Sequence, residues 1–396
     1  MKFSAKKLAI VSALVVLSAF SAPCRAFAAQ TSVPQISQNC VFSSTDDAAQ
    51  QMRAYLKEHS SDFEIEISAN VAPKETVGQI MIYKAFDETG NGSEGDYLRF
   101  GVKKLNCKIY LKNDSYRLVY HIDYYTTAEE EEKLTQKTDE LLASFHTDGL
   151  SDYNKALLIY RYVTSKVTYS SDISDKYAYT AYSAMENGNA VCQGVAQLLY
   201  RLYNDSGIPC RIIAGVARDS DGVREDSYHV WLLTKIDGKY YLSDPTWDLS
   251  AVNDNFRYFL KGSDEFDNVS NMKHIPQNDN GLTFPEYNSD EFQSAYPVTA
   301  ANAPQPGCSS GDIDGSGSIN ALDASFILSD YSRFSTCGMS ALTISQKSFA
   351  DVNNDNSVNA VDASCVLAYY AYSSCGGKDS IDDYIKNEVL NDVRRK

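Results

Sequence analysis

The chain has 396 residues, room for two to three domains, with 36 basic against 52 acidic side chains and a net charge of −16. That balance excludes partners that demand clustered Lys and Arg, nucleic acid and anionic membrane surfaces among them, while 43% hydrophobic and 22% charged residues exclude global disorder. Tyrosine is abundant, 28 residues against 16 Phe and 2 Trp, and reads as amphipathic surface and core aromatics rather than as a sugar-binding platform.

Residues 1–29 have the pattern of a removable secretion signal. Lys2, Lys6 and Lys7 precede a 13-residue apolar run from Leu8 to Phe20, too short to span a bilayer, and the small-residue pattern Ala26-Phe27-Ala28 follows. Its loss leaves 32 basic against 52 acidic groups, a net −20. No later run is apolar for 18 residues, so the mature chain is expected to be secreted, extracellular and not membrane-spanning. Eight cysteines remain, at 40, 107, 192, 210, 308, 337, 365 and 375, sparse for a disulfide framework and leaving room for a working thiol. Cys40 and Cys107 are the candidate bridge of residues 30–126, whereas Cys365, at the repeat position of Phe326, reads as a buried apolar thiol.

Residues 30–126 form a mixed α/β segment. Ser44-Thr45-Asp46-Asp47 caps a helix to about Lys57, and strand-like runs follow at 63–67, 80–83, 97–102, 107–111 and 116–125. No chemistry is legible there, and the segment reads as a scaffold. Residues 127–290 begin helical: Thr127-x-x-Glu130 is a capping box opening a helix to about Phe145, and Ser151-x-x-Asn154 opens another to about Lys166. A third starts near Cys192, with Val195, Leu198, Leu199 and Leu202 on one stripe, and stops at Gly207 ahead of Pro209. Strands are expected at 210–217 and 228–236, with the two-residue turn Asp237-Gly238 leading into 239–244. Residues 291–310, three prolines among small residues, read as a linker; a repeat with a 39-residue period fills 311–376, and 377–396 is a charged, helical tail.

Cys192 follows a Gly188-Asn189 break and opens an amphipathic helix, whose unpaired amides and positive dipole end favour a thiolate. A buried structural cysteine fits the same pattern until a base is found. His229 supplies one: with Ile236 paired to Lys239 across the turn, Trp231 faces Asp244, His229 faces Thr246, and Asp244 becomes a diagonal neighbour of His229. Cys192, His229 and Asp244 then meet the needs of a triad of nucleophile, base and orienting carboxylate. A core histidine beside a chance carboxylate is the competing reading, and Asp248 is a rival for the third place.

The wording GNAVCQGVA, then Gly207-Ile208-Pro209-x-Arg211, then YHVW and YYLSDPTWD, with the lead-in SDYNKALLIYRYVTSKVTYS, resembles the transglutaminase-like superfamily of papain-like thiol enzymes over about residues 127–260. The resemblance implies Cys192 as nucleophile, His229 as general acid and base, and Asp244 as the orienting residue.

The 39-residue repeat carries the second constellation. Asp312, Asp314, Ser316, Ser318, Asn320 and Asp323, and again Asp351, Asn353, Asp355, Ser357, Asn359 and Asp362, occupy loop positions 1, 3, 5, 7, 9 and 12, with position 7 expected to offer its backbone carbonyl. Such alternation wraps one hard cation in oxygen. Position 12 is Asp, position 6 is Gly317 in one loop and Asn356 in the other, and no helix is expected ahead of either loop. In these departures the pair resembles a dockerin, the duplicated calcium module that docks enzymes onto cohesins of a cellulosome scaffold. The resemblance implies two Ca2+ ions and a cohesin partner met by Ala321-Leu322 and Ala360-Val361.

The expected fold class is therefore α+β: a papain-like transglutaminase core after a mixed α/β N-terminal segment, plus a small all-α calcium-binding dockerin. The expected function is a secreted, cellulosome-associated thiol enzyme acting on amide bonds of a protein or peptide through a Cys-His-Asp acyl-enzyme, with hydrolysis ahead of transamidation or deamidation and no cofactor in the catalytic domain. A catalytically silent binding domain, attached by its dockerin to a polysaccharide-degrading complex, is the alternative.

Overall fold

A computed structural model of the chain describes residues 41–147, 149–222, 225–251, 255–277, 287 and 289–389. The expected secretion signal, Cys40 of the candidate bridge and the last seven residues of the tail lie outside the described residues.

The N-terminal part runs β1 (Val41–Phe42), α1 (Thr45–Lys57), β2 (Asp62–Ser68), α2 (Lys74–Ala85), α3 (Asp96–Gly101), β3 (Val102–Lys112) and β4 (Ser115–Tyr124). Ser44 caps α1 by accepting from the amides of Asp46 and Asp47. The sheet has the order β1-β2-β4-β3, and α1 lays Ala48, Ala49, Met52 and Leu56 on the buried alternate residues of β2. Two of the expected strands are helices instead. The apolar run 80–83 lies inside α2, whose buried Val77, Met81 and Ala85 recur every fourth residue, a stripe that a four-residue window hides. Residues 97–101 lie in α3, where Asp96 to Phe100 are all buried and no periodicity survives to be read.

The central part continues with α4 (Ala128–Ser144), α5 (Asp152–Lys166), β5 (Thr168–Tyr169), α6 (Ala181–Glu186), β6 (Asn189–Ala190), α7 (Cys192–Asp205), β7 (Cys210–Asp219), β8 (Ser227–Ile236), β9 (Lys239–Ser243), α8 (Ser263–Phe266), β10 (Met272–Pro276) and α9 (Asp290–Ala295). Thr127 and Glu130 close the capping box of α4, and Ser151 accepts from the amide of Asn154 at α5. Every residue of α7 from Cys192 to Asn204 is buried, so this helix is the centre of the core and not a surface element. It packs on an antiparallel sheet of order β10-β7-β8-β9.

The N-terminal part is fastened to this core by charge. Asp96 is buried, and its Oδ2 accepts from Arg211 Nε and from the Ile212 amide, both at 2.8 Å. Glu88 accepts from the Tyr200 hydroxyl at 2.6 Å, and burial, helped by the charge of Asp96, pushes its carboxyl up to about 8. Residues 291–310, read as a linker, are laid along the core: the Thr299 amide donates to Tyr240 O and the Ala303 amide to Leu260 O.

The C-terminal part holds α10 (Ala321–Cys337), α11 (Ile344–Ala350), α12 (Ala360–Ser374) and α13 (Ile381–Tyr384) around a small cluster of its own, with Ile313, Ile327, Val352, Cys365 and Val366 inside it. It is seated on α4 and α5 through buried polar groups. Arg161 of α5 donates to the carbonyls of Ser340 and Leu342, Asn154 Nδ2 donates to Ala341 O and Gln346 Oε1 at 2.8 Å, and Arg333 of α10 donates to Phe145 O and His146 O. Gln346 in turn donates to Ile313 O at 3.0 Å, between Asp312 and Asp314 of the first loop. Val41–Lys396 accordingly forms one compact unit.

Candidate active site and metal loops

The turn between β8 and β9 fixes the register of the site. Asp237 and Gly238 both take left-handed backbone, φ 49° and 80°, as a two-residue hairpin requires. Ile236 pairs with Lys239 and Leu232 with Ser243, so Asp244 leaves the strand end beside His229. His229 Nε2 lies 2.7 Å from Asp244 Oδ2, with both side chains buried. Asp244 Oδ1 accepts from the amides of Thr246 at 2.8 Å and Trp247 at 3.3 Å, which fixes the carboxylate plane. Trp247 stacks on the His229 ring, centroids 4.7 Å apart and planes 13° from parallel.

Cys192 is the first residue of α7, and Val195 N–H to Val191 O is the first bond of the helical ladder, so the amides of Cys192, Gln193 and Gly194 stand at the positive helix end without intrahelical acceptors. Cys192 and His229 line the same cleft. Burial works against a charged His229, but the Asp244 carboxylate, by charge and hydrogen bond, and then Cys192, push its pKa up to about 10. Burial would likewise raise Asp244, yet His229 and then His274 hold it well below the usual carboxylate range. The structure thus brings Cys192, His229 and Asp244 together.

Asp248 does not compete for the third place. It accepts from Tyr160 Oη at 2.8 Å and from the amides of Arg257 and Tyr258, which makes it a staple of the following loop. What the sequence reading missed is His274. Its β10 strand pairs with β7, its Nε2 lies 3.2 Å from Asp244 Oδ2, and its Nδ1 lies 2.7 Å from Asp267 Oδ1. The one signal available was a histidine inside a short strand-like run, MKHIP, with nothing to fix its register. Gln193 donates to Phe100 O and Tyr179 O and so serves to hold α7 in place.

The two candidate metal loops share the main features of their hydrogen bonding. Asp312 accepts from the amides of Ser316 and Gly317 as Asp351 does from Asp355 and Asn356, and Asp323 accepts from the Asn320 amide as Asp362 does from Asn359. Left-handed backbone recurs at Gly315 and Asn354 and again at Gly317 and Asn356, so Asn at position 6 keeps the turn that glycine makes in the first loop. Carboxylate oxygens of Asp312, Asp314 and Asp323 converge within 4.8 Å of one another. Asp323 and Asp362 are fully buried, and burial raises both carboxyls, a donor set that suits a hard divalent cation. Asn320 and Asn359 spend Oδ1 capping α10 and α12, on the amides of Leu322 and Val361. Leu322 and Val361 are 62% and 53% exposed, and the duplication extends to exposed Leu328 and Leu367 and to Tyr331 and Tyr370.

A helix-borne thiol facing a strand-borne His–Asp pair is the layout of a papain-like α+β fold. Residues 139–245 match the family model of the transglutaminase-like superfamily and residues 310–369 that of the dockerin type I domain, so the chain carries a transglutaminase-like core followed by a dockerin. Dockerin type I domains generally bind calcium and cohesins. No curated protein matches the chain in sequence. Among solved structures, a protein from Cytophaga hutchinsonii provisionally described as a cysteine protease is 15% identical over 37% of this chain and 66% of its own, TM-score 0.25. A structure described as a TGase is 15% identical over 48% of this chain and 52% of its own, TM-score 0.26. Among the described residues no helix is long and apolar enough to cross a membrane.

Proposed function

We propose that the chain is a secreted thiol enzyme acting on amide bonds of proteins or peptides and held on a cellulosome scaffold by its dockerin. The observation that carries this reading is the buried His229–Asp244 pair at 2.7 Å, set beside a cysteine at a helix N-terminus in a shared cleft. In the acylation step the Cys192 sulfur bonds to the substrate carbonyl carbon, the C–N bond breaks, and the amine leaves with a proton from the His229 imidazolium. Asp244 keeps the ring oriented and stabilises its charged form. The helix-end amide of Cys192 is positioned to donate to the developing oxyanion. Water, deprotonated by His229, then bonds to the thioester carbon, the C–S bond breaks, the acid leaves, and the Cys192 thiolate and His229 imidazolium are restored. Hydrolysis is the favoured outcome, since none of the described lining residues is an Asp or Glu that would draw an ammonium group in.

In the dockerin, Asp312, Asp314, Ser316, Asp323 and the Ser318 carbonyl would hold one Ca2+, and Asp351, Asn353, Asp355, Asp362 and the Ser357 carbonyl a second. The capping Asn320 and Asn359 would reach the ion through water. Calcium supplies folding energy here by neutralising buried acids. The Ala321-Leu322 and Ala360-Val361 pairs, open to solvent at equivalent places, present the same surface to a cohesin in two orientations. The test of the enzyme reading is turnover of a casein or gelatin digest by the wild-type chain and by Cys192→Ala, with released amines and adduct mass as readouts. Loss of both in the variant supports the reading, and equal turnover by the two proteins removes it.

A further inference from the structure

The cleft over Cys192 has a volume of about 500 Å3, the size of one large side chain with its flanking backbone. Its walls are Tyr169, Ile173 and Tyr179 on the segments leading to Cys192, and Tyr228, Trp247 and Met272 on the other side. No Asp, Glu, Lys or Arg is among the described lining residues, in a chain whose composition is 22% charged. The cation of His229 is engaged by Asp244, so a charged substrate side chain placed here would lose water and gain no free counter-ion.

The mouth of the cleft points the same way. Ile173, Tyr169 and Tyr228 are 67%, 52% and 40% exposed, and these large apolar or aromatic side chains gather around one opening. Apolar surface that clusters at a catalytic opening marks where a partner's apolar surface is to be covered. The Tyr228 hydroxyl donates to Gln193 Oε1 at 3.4 Å, which ties this wall of the cleft to α7.

We propose that this cleft selects an uncharged aromatic or aliphatic residue next to the reacting amide, so that the substrate class is extended, apolar peptide segments of proteins and not acidic or basic peptides. This rests on the reading of Cys192 as the nucleophile. An aromatic side chain fills the space between the Tyr169 and Tyr228 walls and carries the adjacent carbonyl to the sulfur. Glu or Lys at the same place enters only by leaving its charge unpaired.

The experiment uses the full chain in calcium with a series of acetyl-dipeptide fluoromethyl ketones bearing Phe, Leu, Gln, Glu or Lys beside the electrophile, read by the rate of adduct formation on Cys192. The Phe and Leu probes are expected to react at least tenfold faster than the Glu and Lys probes, the discrimination one well-filled apolar pocket gives. Tyr228→Ser and Ile173→Ser should each narrow that ratio. Glu or Lys probes reacting as fast as Phe would overturn the substrate class while leaving the thiol assignment in place. Binding of the matching acetyl-dipeptide amides to Cys192→Ala, followed by NMR, decides the selectivity without chemistry. Phe peptides that bind no better than Glu peptides overturn the proposal even where Cys192 proves unreactive.

Discussion

Arg161→Ala tests whether the calcium module and the catalytic core are one mechanical unit. The guanidinium donates to the carbonyls of Ser340 and Leu342, the latter at 2.8 Å, and Arg161 is only 6% exposed. A hydrogen bond to a charged group contributes about 1.5–3 kcal/mol, so these two contribute about 3–6 kcal/mol. Water reaching the freed carbonyls brings the expected value to about 3 kcal/mol. At about 2 °C per kcal/mol for a unit of this size, the core transition should fall by about 6 °C. Because Gln346 joins Asn154 of the core to Ile313 O in the first metal loop, chelation should lower the same transition in the wild type. Scanning calorimetry of the full chain with calcium and with a chelator is the assay. A core transition indifferent to both the variant and the chelator would show that the module hangs free and that the buried bonds couple nothing.

Removing any member of the triad should cost nearly the whole rate, His229→Ala almost as much as Cys192→Ala and Asp244→Asn less, because the groups act as one; substrate turnover measures it. The His229 ring, followed by NMR, should stay protonated far above its ordinary 6.5 and titrate near 10, the stability from its pairing being complete below 6.5 and lost as pH rises through 10; Asp244→Asn should return the titration towards neutrality. Glu88, protonated in the folded state up to about 8, binds a proton that the unfolded chain has released, so stability should fall by up to about 1.4 kcal/mol per pH unit between about 5 and 8. Denaturant melts of Glu88→Gln should lack that component. Asp312→Ala with Asp351→Ala should reproduce the chelated circular dichroism spectrum of the wild type and abolish cohesin capture, whereas Leu322→Asp alone should leave capture through the Val361 surface.

The triad was legible because β8 and β9 are joined by a two-residue turn whose chemistry fixes register, so counting from Asp237-Gly238 placed Asp244 beside His229. The candidate calcium loops were legible because their oxygen-bearing side chains are local in sequence and occur twice. His274 was not, since it reaches Asp244 through a strand that arrives across a long irregular stretch, and no local pattern encodes that distance. Burial also erased signals: α3 is buried on every side, and the apolar 80–83 run showed four residues of a stripe that needs nine to declare a helix. The segment 291–310 looked like a linker because it lacks periodicity, but its backbone bonds to Tyr240 and Leu260 are a matter of tertiary fit.

The reactivity of Cys192 compared with Cys375 tests the central claim most directly. Cys192 is 3% exposed, while Cys375 is an exposed free thiol. Brief iodoacetamide treatment of the native, calcium-loaded chain near pH 7, followed by peptide mapping, ranks the two. If Cys192 belongs to a working thiol site, it is alkylated first despite its burial, and His229→Ala reverses the order. If Cys375 is modified while Cys192 stays intact in the wild type, exposure alone governs reactivity and the core is not a thiol enzyme.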